Sequence, residues 1–130
     1  MKVKLSAILN AVPVLRELMR QKLPATQAFV LHLIITELDK HLTAYQTAVE
    51  GLLDKYARRE GEAWSFRKED GSEDTEAVQA FNREHQELVE TEVEIPDRTL
   101  SLKALEQAGV QLSAEDIGKI FWLLSTQEEV

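Results

Sequence analysis

The chain contains no cysteine, which excludes disulfides, thiolate nucleophiles and cysteine-based metal sites. A chain without disulfides suits a reducing cytoplasm, and a cytoplasmic location is the expectation. No run of apolar residues approaches the ~18 needed to cross a bilayer, so neither a transmembrane helix nor a membrane partner is expected. The start, MKVKLSAILNAVPVL, has bases before an apolar stretch, as a signal peptide does. Asn10, Pro13 and then Arg16-Glu17 interrupt that stretch, so it reads as folded structure. Also missing are a glycine-rich phosphate loop, a Gly-x-Ser-x-Gly elbow and a His-Glu-x-x-His helix. The sequence therefore predicts no enzyme, no cofactor and no catalytic or metal residue.

What is present is an ordinary apolar fraction, 44%, enough for a modest core in a single domain over residues 1–130. The formal net charge is −8, unevenly placed. Residues 1–24 carry five bases (Lys2, Lys4, Arg16, Arg20, Lys22) against Glu17, whereas residues 60–94 carry twelve acids against Arg67, Lys68 and Arg83. An acidic chain with no basic run repels a phosphate backbone, so direct nucleic-acid binding is not expected. Two readings of the charge stand open. The ends attract each other within the fold and keep it dissolved, or the acidic stretch imitates DNA or docks on a basic partner.

No proline and no glycine occurs between Pro24 and Gly51. Across this stretch Ala28, Leu31, Ile35, Leu38, Leu42, Tyr45, Val49, Leu52 and Tyr56 recur at alternating steps of three and four, one face of a helix. A helix from Pro24 to about Glu60 would be about 54 Å long, ended by Gly61, with Arg58 and Arg59 near its C-terminal dipole. Phe29, Val30, Leu33 and Ile34 add apolar positions at its start, predicting burial from several sides there.

The fold class that follows is mainly α: a helical hairpin with one long central helix, further C-terminal helices and a minor two- or three-stranded β-ribbon. Lys2 to Leu5 alternates as a short strand. A first helix capped by Ser6 or Asn10 runs to about Gln21, with Pro13 favouring the later start. Val12, Leu15, Leu18 and Met19 form its apolar face, and Leu23-Pro24 turns the chain into the long helix. Residues 61–75 form a hairpin or loop, with Trp64-Ser65-Phe66 as a strand and Asp70-Gly71 as a turn.

Residues 76–130 hold the remaining elements. A third helix, capped by Asp74 or Thr75, ends near Glu90; its stripe Val78, Phe81, His85 and Leu88 is suited to cover the distal half of the long helix. Thr91–Pro96 is an acidic strand that joins Val3–Leu5 and Trp64–Phe66 in the ribbon. Ser101 caps a helix from Leu102 to Ala108, stopped by Gly109. Ser113 caps a last helix to about Ser125, with Ile117, Ile120, Phe121 and Leu124 facing inward and Gln127–Val130 frayed.

Each candidate site has a plainer reading beside it. The segment from Ser101 to Leu124 outlines a helix-turn-helix. Its second helix, however, offers Ala114, Glu115, Asp116 and Lys119 where base readers would stand, and a packed corner is the better account. His41, one turn after Glu37, is a surface pair, since the Glu-x-x-His spacing of a di-metal bundle is absent at His32, His41 and His85. His85, on an apolar stripe, is a core-edge histidine. Glu90, Glu92 and Glu94 share a strand face, which reads as solvated and as protection against edge pairing. A heptad seam this long is either intrachain core or an oligomer seam. Tyr45 and Tyr56 on it keep hydroxyls that want water or a partner, so a homo-oligomer is one candidate.

The stretches KVKLSAILNAVPVLRELMRQKLPA, ELVETEVEIPDRTLSLKAL and LSAEDI resemble small phage- or prophage-encoded proteins of unknown function, with a short strand, a helical hairpin and an acidic EVE strand before terminal helices. The resemblance implies action in a bacterial host cytoplasm and carries over no site residues. Two functions follow. One is a non-enzymatic role in phage assembly through protein–protein contact at Tyr45, Val49, Leu52 and Tyr56. The other is a host-directed effector that blocks a defence or nucleic-acid enzyme with Glu87, Glu90, Glu92 and Glu94. The partner is then a phage or a host protein.

Overall fold

The computed structural model describes residues 1–126; the expected frayed tail, Gln127–Val130, lies outside the described residues. The expected architecture is present: among the described residues, 62% helix with five α-helices, one long central helix and small two-stranded sheets. Strand β1 (Lys2–Lys4) runs straight into α1 (Leu5–Met19), and a short turn leads to α2 (Ala25–Tyr56). Then come β2 (Arg58–Glu60), β3 (Ala63–Ser65), α3 (Thr75–Val89), β4 (Glu92–Glu94) and β5 (Leu100–Ser101). Helices α4 (Leu102–Gln107) and α5 (Ala114–Ile120), a 3-10 turn (Phe121–Leu123) and β6 (Leu124–Ser125) complete the order.

The first helix starts at Leu5, not after Asn10, and holds Pro13 in its interior. An interior proline removes a backbone donor and costs ~3 kcal/mol or more. Burial outweighs it here: Leu5, Ile8, Ala11 and Val12 lie in the core with Val14, Leu15 and Leu18. Pro13 itself is exposed. The Leu5 amide donates to the Thr91 carbonyl at 2.9 Å, which ties the helix start to the strand pair below it.

α2 is about 48 Å long by its 32 residues. It ends at Tyr56, a turn earlier than expected, because Ala57 is already extended (φ −104°, ψ 162°). Arg58 and Arg59 therefore do not cap a helix. They form β2, antiparallel to β3 with Arg59 opposite Trp64, and the Arg59 guanidinium sits 5.1 Å from the Trp64 ring, a cation–π contact. Gly61 stands in the two-residue loop between the strands at φ 64°, the left-handed residue such a loop needs.

This hairpin also corrects the ribbon. β1 pairs antiparallel with β4 alone, Val3 opposite Val93, and Trp64 pairs with its own neighbour strand. A third pair, β5 with β6, is parallel. It forms because the last helix stops at Ile120, five residues early, and the chain turns through the 3-10 segment into β6. Side-chain oxygens of Asp74, Ser101 and Ser113 cap α3, α4 and α5 as expected.

The core gathers α1, the first part of α2 (Leu31, Ile34, Ile35, Leu38), Ile95, Leu100, Leu105, Ile120, Leu123 and Leu124. Three residues expected to face inward do not: Met19 is 49% exposed, Phe29 63% and Phe121 60%. Ala28, the first seam residue, is exposed as well. Met19 is the last residue of α1, Ala28 and Phe29 lie near the start of α2, and Phe121 opens the 3-10 turn after α5. Helix α5 packs on α1, the packed corner expected of that segment. Among the described residues, no helix is long and apolar enough to cross a membrane.

Candidate interaction surface

From Asp39 to Glu94 not one residue is buried. The molecule thus divides into a dry base and an arm, made of the distal half of α2, the β2–β3 hairpin and α3. The arm is a two-layer structure. α3 lies along α2, and on the facing sides Leu42, Tyr45, Val49, Leu52, Tyr56, Val78, Phe81, His85 and Leu88 are all half-buried. The seam continues through the arm, and so does its apolar character, but only one helix and a small hairpin cover it.

Aromatic side chains hold the arm together. Phe66, just after β3, meets Phe81 edge-on at 5.2 Å between centroids. Phe81 stacks on the His85 ring at 5.9 Å. His85 Nε2 and the Tyr45 hydroxyl share a hydrogen bond of 2.7 Å, so His85 is the edge histidine the sequence suggested. The Tyr56 hydroxyl, and after it Lys55, hold the Glu84 carboxyl below its ordinary value; Lys55 Nζ lies 3.3 Å from that carboxylate. The Tyr45 hydroxyl thus finds its polar partner on α3, within the chain. What stays available on the arm is carbon surface around Val49, Leu52 and Tyr56. Phe66 was legible only as part of an alternating triplet; its role as the hairpin's contact with α3 requires the hairpin.

The acidic candidates separate into two kinds. Glu90 caps the end of α3 and meets Lys4 Nζ at 2.7 Å. The Lys4 contact holds the Glu90 carboxyl below its ordinary value and raises the Lys4 ammonium. Glu94 takes the N-terminal amine at 2.9 Å, with Asp97 at 3.2 Å from the same nitrogen; the Glu94 hydrogen bond, before Asp97, raises that amine. Basic N-terminus and acidic strand therefore meet within the fold. Glu87 and Glu92 remain exposed, with Glu92 across the strand pair from Lys4.

His41 Nε2 lies 4.0 Å from Glu37 Oε1, too far for a hydrogen bond. Among the described residues no group of three or more His, Asp or Glu is placed to hold a metal ion. The arrangement presents surfaces for contact: an apolar arm with half-open sides, and two exposed carboxylates at its root. Compared with protein-family models, curated proteins and solved structures, the chain matches none.

Proposed function

We propose that this protein is non-enzymatic and works by protein–protein contact through the arm, as a phage-encoded protein in phage assembly. The observation that carries the contact reading is the change of burial along one seam. α2 keeps its apolar heptads to Tyr56, yet nothing beyond Leu38 on it is buried. Half-covered Val49, Leu52 and Tyr56 leave apolar area that a partner can remove from water at about 25 cal/mol per Å². The phage setting rests on the resemblance of the N-terminal hairpin and the EVE region, and a second copy of the chain is one partner that would fit the seam.

The effector reading keeps one supporting observation, the exposure of Glu87 and Glu92. The commitment of Glu90 and Glu94 to Lys4 and the N-terminal amine makes it the weaker of the two. Affinity capture from nuclease-treated lysate of the infected host separates them. The assembly reading expects phage structural proteins, lost with Val49→Asp plus Leu52→Asp when circular dichroism shows the helices intact. A single host enzyme, released by Glu87→Lys plus Glu92→Lys, would replace it with the effector. Capture indifferent to the arm substitutions would overturn the arm as the contact site.

A further inference from the structure

The opposite end of the long helix carries a second surface, independent of the arm. Where α1 turns into α2, Met19, Gln21, Leu23, Ala28, Leu31 and His32 line an open groove of about 220 Å³. Leu31, 2% exposed, forms its floor. Met19 stands at its rim and Phe29 lies one position from Ala28, the two most conspicuous apolar side chains left in water at this end (49% and 63% exposed). An exposed phenylalanine costs free energy in solution, and a concave apolar site with apolar rims is the usual shape of an anchor pocket.

Along the chain, the turn that lines the groove carries charge of one sign. In a chain with 23 acids, none falls between Leu18 and Thr36, while Arg20 and Lys22 do. The carboxylates nearest in sequence are already matched: Glu17 by Arg20 at 3.3 Å, Glu37 by Lys40 at 3.0 Å and Asp39 by Arg16 at 3.1 Å. α2 also begins with no acid in its first turn and no side-chain cap at Pro24, so the positive end of its dipole is unanswered. Apolar rims, a pocket of side-chain size and an acid-free turn together define the complement.

We propose that this groove docks an acidic amphipathic helix of another protein, an apolar anchor entering between Met19 and His32 while its carboxylates face Lys22 and the start of α2. This is helix-in-groove recognition, with charge supplying orientation and encounter rate. It gives the protein an interface at each end of α2.

The test uses the full chain, labelled with nitrogen-15, and two synthetic helical peptides with the same Leu/Phe stripe, one with Glu and one with Lys at every other position. The Glu peptide is expected to shift amides from Met19 to His32, to bind about tenfold more tightly than the Lys peptide, and to weaken with salt. Phe29→Ala and Lys22→Glu, both at exposed positions, should each weaken it severalfold without moving the unfolding midpoint. Equal binding of both peptides, or shifts elsewhere on the protein, would overturn the proposal. So would concentration-dependent shifts at Met19–His32 without peptide, which would make the occupant a second copy, or the same shifts with anionic vesicles and none with the Glu peptide.

Discussion

Base and arm share one helix and one seam, and leucine occurs at the same heptad position in both. Leu31, Leu38, Tyr45 and Leu52 follow each other at intervals of seven. The first two are 2% and 1% exposed; the second two are half-buried. The sequence pattern is continuous, so the difference lies in what is brought against it. At the base, α1 and the C-terminal elements close around α2 from several sides. On the arm there is α3 and a hairpin of three-residue strands. A heptad pattern thus states which face is apolar and leaves open how deeply that face is covered.

The comparison is sharpest where the same substitution is made in both regions. Leu38→Ala empties a closed site and should cost about 2–5 kcal/mol. Leu52→Ala, the same change two heptads on, removes a half-solvated side chain and should cost about 1 kcal/mol. Urea denaturation of the two variants measures both, and equal losses would mean that the arm is as well packed as the base.

Phe81→Ala acts inside the arm, where it removes the ring between Phe66 and His85. A loss of about 2 kcal/mol is expected from half-burial and the aromatic pairs together. Faster amide exchange should appear in α3 and the hairpin and leave α1 untouched. Asp74→Ala, which removes the acceptor for the Ala77 amide, should cost about 1 kcal/mol and fray the start of α3.

The smallest effect links the two regions. Because the Glu90 carboxyl is held below its ordinary value by Lys4, its contribution is present above the usual carboxylate range. It is lost as pH falls through the lowered value. The Lys4 ammonium is raised by the same contact, so at the other end of the pH range the contribution is lost only in strong alkali. Lys4→Gln should therefore be slightly less stable than the parent at neutral pH, and the gap should close as pH falls below the ordinary carboxylate range. The pair is exposed and screened by solvent, so the gap should be small. A gap unchanged in acid would mean that the pair contributes nothing.

Much of the fold was legible in the residues. The long apolar period gave α2, the stripe Val78–Phe81–His85 gave α3 and its placement, and Asp74, Ser101 and Ser113 gave three helix starts. What failed has one physical cause, that contacts distant in sequence decide it. Pro13 stays inside α1 because residues before it are buried by elements that come later. Arg58 and Arg59 leave the helix because β3 offers them a ladder and Trp64 offers a ring face. β6 exists because β5, more than twenty residues back, lies beside it. The candidate surface was legible as a set of residues, Tyr45 to Tyr56. The internal commitment of the Tyr45 hydroxyl and of Glu90 and Glu94 was not, because each partner lies on another element. Met19 and Phe29, which belong to apolar helix faces by period, gave no sign that they would stand in water.

Hydrogen exchange on the free protein tests the division of the molecule most directly. Amides of α1 and of α2 up to Leu42 should exchange only through global unfolding. Those of α2 beyond Tyr45, of the hairpin and of α3 should exchange faster, through local opening. Uniform protection along α2 from Leu31 to Leu53 would contradict the account, because the arm would then be as closed as the base and have no surface in reserve for a partner.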